Sequence, residues 1–536
     1  MADLKLASFP GIEILLKASS PDATYDSSAR ETPPRCFPGT REQYIEDIVN
    51  WVAASACDNP LPILWMKGLA GVGKTAIAQT CVEKLKEMKK PCLAFFFSVN
   101  GRSKHECFFP SIAYQLSTIS PAYRTLVDQK LRNDVTLVNK CMESQFRSLL
   151  LEPLEELAQA NQEESGRIPV FLDGLDECED PDAQCRLIEM IAAARDKTRP
   201  LCWAFFSRPE SHIEGVFSRP EISAFCYSTV LPVSHDADGD IELYLRSGFA
   251  NILQRFNASE SSWKPSDEDI RLLVRAAGGL FIYAATVLRF ISQSRCLGPE
   301  KALRVVLATI INRGREGEKL APGSLFAELD AFYMLIMQRI TPDMFPRIQL
   351  LCSLLHYFYN SSLETHSALV SSIVLSNIME MSALEFKTTC DYLGAVLRVH
   401  DEAPIVQLNQ RYNDAHSFSV ATWDDVGRLR KDVQFQLGGS VTFYHKSFHD
   451  FLVDPERSGN FCINTPAANE LFLKHLLAVR LGYEKSYLIK DGRKCLNSDA
   501  GRQITMLILY LFQVLSWHLN FAIQQLLFPV PPKMNL

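Results

Sequence analysis

Residues 63–79 read ILWMKGLAGVGKTAIAQ, which places Gly68, Gly71 and Gly73 between an apolar run and a helical pattern. Glycine is the costliest residue to order, and a plain turn needs fewer. Gly68, Leu69, Ala70, Gly71, Val72, Gly73, Lys74 and Thr75 match GxxxxGK[ST], with a strand before and a helix after. Small residues let backbone amides curl around a phosphate with no Cβ in the way. The helix that begins at Lys74, Thr75 and Ala76 points unpaired N–H groups and its positive end at the same anion. Lys74 supplies a point charge for the β- and γ-phosphates, and the Thr75 hydroxyl can ligate Mg²⁺.

A phosphate loop also needs a carboxylate at the tip of a nearby strand. IPVFLDGLDEC provides Asp173 at the strand end as the Mg²⁺ ligand, followed by Asp176 and Glu177. Either of these two acids could polarise an attacking water, and the sequence does not choose between them. A further apolar run ends in FFSRPE, which brings Ser207 and Arg208 to the same carboxyl edge of the sheet. There Arg208 could sense a γ-phosphate.

Strands at 63–66, 92–99, 169–173, 201–207 and 225–233 alternate with helical patterns. That alternation predicts an α/β fold, a parallel sheet with flanking helices. The strand signal then fades into helices, and VQFQL and VTFYH near 434–445 suggest a small hairpin. The expected organisation is a flexible lead-in (1–35), an α/β nucleotide-binding domain (36–235), a helical domain (236–340), a winged-helix domain (341–460) and a C-terminal helical tail (461–536). No fixed-period repeat is present.

With 536 residues the chain is too long for one core. Its net charge of −7 argues against a general nucleic-acid binder. Fifteen scattered cysteines without a CxxC pair read as free thiols in a reducing compartment, and no secretory signal opens the chain, so the expectation is cytoplasmic. Residues 504–528 carry no charge and could span a bilayer, but their second half is loaded with Gln, Ser, His and Asn. A buried or partner-seeking helix is the preferred reading, with the membrane as the lesser alternative.

GLAGVGKT, DGLDE and FSRPE, in this order, resemble the NACHT family of STAND-class signalling ATPases. CFPGTREQYIEDIVNW (36–51), VRAAGGLFIYAATVLRFI (274–291) and FYHKSFHDFLVDPERSG (443–459) are similar to segments of the nephrocystin-like NACHT proteins of fungi. The resemblance implies a three-part clamp closed over ADP, with Gly39, Thr40 and Arg41 on the adenine side, Arg208 as sensor and His445 on the β-phosphate. It further implies ATP/ADP and Mg²⁺ as cofactors, slow hydrolysis that resets the closed state, and self-association or protein partners in immunity-like signalling. Gly278-Gly279-Leu280-Phe281 stands where many relatives carry a proline, so no proline contact to adenine is carried over. The polar stretch around 407–440 is also longer than the resemblance leads one to expect. The short lead-in and the absence of recognisable C-terminal repeats suggest a truncated product or a bare switch module. The alternatives are a continuously cycling ATPase or phosphotransferase, or a nucleotide-binding fragment that does not signal.

Overall fold

The computed structural model describes residues 9–475 except 28–29, 31–32, 55–60, 99–101, 161–165, 257–262, 294–297, 317–325, 360–370, 401–404, 408–433, 437–438, 467, 469–471 and 473–474. The uncharged segment 504–528 and most of the polar stretch around 407–440 lie outside the described residues. The chain divides into two compact units, one of residues up to Phe332 with His445–Ser447, the other of Tyr333–Tyr444 with the residues from Phe448 onward.

The first unit is built on five parallel strands, β1 (Ile63–Lys67), β2 (Leu93–Phe96), β3 (Ile168–Asp173), β4 (Leu201–Ser207) and β5 (Cys226–Val230). Their spatial order is β2-β3-β4-β1-β5. The five expected strands are all present. β2, β3 and β4 are buried along their whole length, which is why they read as unbroken apolar runs. Edge strand β5 is the exception, with Tyr227 and Val230 exposed.

Helices cover the sheet. They include α2 (Glu42–Ala53), α3 (Lys74–Glu87), α4 (Phe108–Ile119), α5 (Pro121–Asn133) and α6 (Pro181–Ala193). α2 buries Ile45, Ile48, Val49 and Val52, which helical spacing places on one face. After the sheet come α7 (Asp238–Arg255), α8 (Asp267–Ala277), α9 (Phe281–Gln293) and α10 (Gly298–Glu316). A Ser266–Asp269 capping box starts α8, and Gly278 in the left-handed region ends it.

The lead-in is not a loose tail. Residues Pro10–Ala18 form α1, which packs on α4 and α5 with Leu15 fully buried in the core. Asp128 on α5 accepts from the amides of Gly11 (2.8 Å) and Ile12 (3.3 Å), capping α1 from another element. Gly11 is required there, because a Cβ would lie 2.5 Å from the Asp128 carbonyl oxygen. The following stretch runs along α3. Arg30 donates to Gln79 (2.8 Å), Gln79 donates to the Tyr25 carbonyl (3.0 Å), and Arg35 pairs with Glu83 (2.7 Å).

In the second unit, helices at Phe345–Tyr359, Ser372–Ile378 and Ala383–Tyr392 accompany two short antiparallel pairs. β6 (Leu397–Val399) pairs with β9 (Val441–Phe443), and β7 (Ile405–Gln407) with β8 (Gln434–Gln436). Tyr333, Phe448 and Phe451 pack together in its core. His356 Nδ1 lies 2.8 Å from His449 Nε2, and the two rings stack.

Leu15→Ala should destabilise the first unit by about 3 kcal/mol, the cost of emptying a packed leucine site, measured by chemical denaturation. A second expectation concerns acid. Burial first, then the neighbouring His449, lowers the His356 pKa from 6.5 to about 4. The unfolded chain therefore binds the extra proton between these values, so this contribution is full above pH 6.5 and is lost as pH falls toward 4. The melting temperature of the second unit should drop across that window, and less steeply in His356→Gln.

Candidate nucleotide site

The three glycines of the loop have three separate physical reasons. A Cβ on Gly68 would lie 2.7 Å from the Leu231 carbonyl oxygen. Gly71 has φ +80°, and its Cβ would lie 2.2 Å from Ile282 Cγ2 at the start of α9. Gly73 has φ +108°, and no described atom lies within 4 Å of where its Cβ would be. Two of the three thus answer to neighbouring protein, and only Gly73 faces open space. Gly73 is also the N-cap of α3, which has no side-chain cap and no acid in its first turn. An uncapped helix start beside open space is suited to an anion.

Lys74 Nζ donates to the carbonyls of Gly68 (2.7 Å) and Leu69 (3.0 Å). Burial lowers its pKa, while Asp176, Asp173 and Glu177 oppose that shift. Outside donors meet two more loop carbonyls. The Ile282 amide donates to Gly71 O (3.1 Å), and the Arg41 guanidinium donates to Val72 O (3.1 Å). Within the loop, the side chains of Ala70 and Val72 are buried.

The acidic turn follows from the end of β3. Gly174, at φ +71°, lets the chain turn where a Cβ would meet the Phe97 carbonyl at 2.9 Å. Residues Leu175–Glu177 then form a short 3₁₀ turn. Asp173 is buried at the strand tip and interacts with the Thr75 hydroxyl, and burial raises its pKa. Its Oδ1 is buried with no hydrogen-bond partner. A buried carboxylate oxygen without a donor, beside a threonine hydroxyl, is a donor set that fits Mg²⁺.

Asp176 is already engaged. Its Oδ2 lies 3.2 Å from Arg208 Nε, and its Oδ1 accepts from the Arg208 amide (3.0 Å). The sequence offered Asp176 and Glu177 as equal candidates and Arg208 as a separate sensor; the fold joins Asp176 to Arg208. Ser207 is spent on the sheet, its hydroxyl accepting from Trp65 Nε1 (3.0 Å) and its carbonyl from the Gly68 amide (3.3 Å).

Thr40 is buried, and its hydroxyl closes a local turn onto the Phe37 carbonyl (2.7 Å). Arg41 has a left-handed backbone (φ 57°), and its amide donates to Asp240 (2.9 Å) on α7. His445 Nδ1 accepts from the Ser447 amide (3.1 Å) and lies 2.7 Å from the Ser447 hydroxyl. Next to it, Lys446 Nζ donates to the Asp176 carbonyl (3.4 Å). Sequence reading missed Ile282, Asp240 and Lys446. Only GGLF, as the counterpart of a family motif, hinted at the first.

A glycine-shaped loop, a buried lysine, an uncapped helix start and a strand-tip aspartate together define a P-loop nucleotide-binding site. Residues 39–208 match the family model described as nephrocystin 3, N-terminal. The phosphate loop, the acidic turn and Arg208 all lie within that span. No curated protein matches the chain. Among solved structures, the chain is similar to a Walker-type ATPase of Pyrococcus abyssi (12% identity, 70% of this chain and 93% of that chain covered, TM-score 0.31). The Aeropyrum pernix ORC2 protein (11%, 70% and 92%, TM-score 0.33) and the Cdc6p protein of Pyrobaculum aerophilum (14%, 70% and 92%, TM-score 0.31) are similar to a like degree. At these scores they carry no argument about function.

Gly71→Ala should lower stability by about 1–3 kcal/mol even without nucleotide, because it adds both a clash with Ile282 and backbone strain. Thermal melting of nucleotide-free protein checks this against Gly215→Ala, where a Cβ meets open space.

Proposed function

We propose that the chain is an ATP/ADP-binding signalling switch of the NACHT (STAND) class, whose slow hydrolysis resets an ADP-closed state that controls self-association. The observation that carries this reading is the engagement of Asp176 by Arg208 within a formed phosphate site. With one of its two acids tied to the sensor arginine, the site favours retention of nucleotide over rapid turnover. Glu177 is then the general base, and Arg208 registers the γ-phosphate by exchanging its hold on Asp176. Thr75 and Asp173 would hold Mg²⁺, which when bound neutralises charge on the β- and γ-phosphates. Lys74 and the start of α3 bind the phosphates, and the resemblance puts Thr40 and Arg41 on the adenine side. His445 latches the ADP state.

The twelve described cysteines are all free, which agrees with a reducing, cytoplasmic setting. Among the described residues no helix is long and apolar enough to cross a membrane. The alternative is an enzyme that cycles continuously on a substrate.

Nucleotide carried through purification, with turnover measured beside it, separates the two. The switch predicts retained ADP and very slow hydrolysis; an empty site with fast turnover would overturn it. Lys74→Ala should abolish binding. Glu177→Gln should retain ATP but lose at least about 100-fold in hydrolysis, within the range for a general base. His445→Ala should speed ADP release, and release at the wild-type rate would remove His445 from the latch.

A further inference from the structure

The peptide group is planar and trans, so a carbonyl and the N–H that follows it point in opposite directions. A donor that holds a loop carbonyl outward therefore aims the next amide inward. The Ile282 amide does this for Gly71 O, and Arg41 does it for Val72 O, each at 3.1 Å. The amides so aimed belong to Val72 and Gly73, and no described atom lies within 4 Å of where a Cβ on Gly73 would be.

Arg41 is an unusual donor for such a task. It is 8% exposed, with its guanidinium 5.0 Å from the Phe281 ring centre and 5.9 Å from that of Tyr44. Its Nε is buried without a partner. Desolvating a cation is costly unless its hydrogen bonds are used where they count. Here the guanidinium's hydrogen bond goes to a single backbone oxygen of the phosphate loop. Its backbone is fixed independently through Asp240, so the side chain approaches from a defined point.

We infer that Arg41 is a positioning residue for the phosphate loop, turning the Val72 carbonyl outward so that the Gly73 amide is aimed at a bound diphosphate. This differs from a contact to the base, and it rests on the nucleotide-site reading above. Arg41 acts on the diphosphate portion of any nucleotide, through the loop and without touching it.

The test compares ADP with inorganic pyrophosphate on the full chain by calorimetry, with pyrophosphate also scored by displacement of ADP. Arg41→Met removes the donor and keeps an apolar stem. Both affinities should fall by the same factor, about tenfold for one lost hydrogen bond, and Arg41→Lys should recover part of the loss. If ADP binding weakens while pyrophosphate is unchanged, Arg41 reads the base and the inference is wrong. Wild-type affinities in Arg41→Met, or no displacement of ADP by pyrophosphate from wild-type protein, would also overturn it. A wild-type chain that binds neither ligand would instead sink the nucleotide-site reading itself. Should Arg41→Met fail to fold, Arg41→Gln carries the same comparison, because its amide is too short to reach Val72 from a fixed backbone.

Discussion

Burying a parallel sheet on both faces leaves its polar chemistry only one outlet. Along β1, β3 and β4 every side chain is buried until the last residue of β1, and the runs end at Lys67, Asp173 and Ser207. These ends lie at one edge, because the strands are parallel and in register: Lys67 faces Ser207, and Asp173 faces Phe206. The site is thus a consequence of the sheet. Once the interior excludes polar groups, the turns leaving the carboxyl edge must carry the lysine, the acids and the arginine. β4 lies between the loop strand and the acidic strand, so it delivers Arg208 between the phosphate loop and Asp176.

That geometry explains how two neighbouring acids acquire different roles. Asp173 and Asp176 are three residues apart, and both are nearly inaccessible. A buried carboxylate is costly unless paired. Asp176 meets the cost with two bonds from Arg208, whereas Asp173 leaves one oxygen without a donor. An unsatisfied carboxylate oxygen is expensive by itself and is worth retaining where a cation completes it. The same arrangement makes Arg208 a poor free sensor, since a phosphate must compete with Asp176 for it.

Local signals made most of this legible in the sequence. Continuous apolar runs marked the strands, GLAGVGKT marked the loop, and DGLDEC marked the acidic turn. What could not be read was pairing at a distance. Strand order depends on which buried faces fit, so the insertion of β4 between β1 and β3 left no trace in spacing. The Asp176–Arg208 pair joins residues 32 apart, and Ile282 reaches Gly71 from a helix more than 200 residues later. The lead-in is fixed for a related reason. PGIEILLKA needs only Leu15 in the core and a cap borrowed from Asp128 to be held in place, and that cap lies more than 100 residues away.

The glycines show why composition alone overstates the ligand's share in shaping a loop. Gly68 and Gly71 are small because Leu231 and Ile282 press against them, and these contacts exist without any nucleotide. Gly73 alone is shaped for what arrives. A loop whose form is set mainly by protein contacts loses little conformational entropy when it receives a phosphate. The helix that follows α8 touches that loop directly, through Ile282. The start of α9 is thus part of the wall that shapes the cradle, through both the Ile282 amide and its side chain.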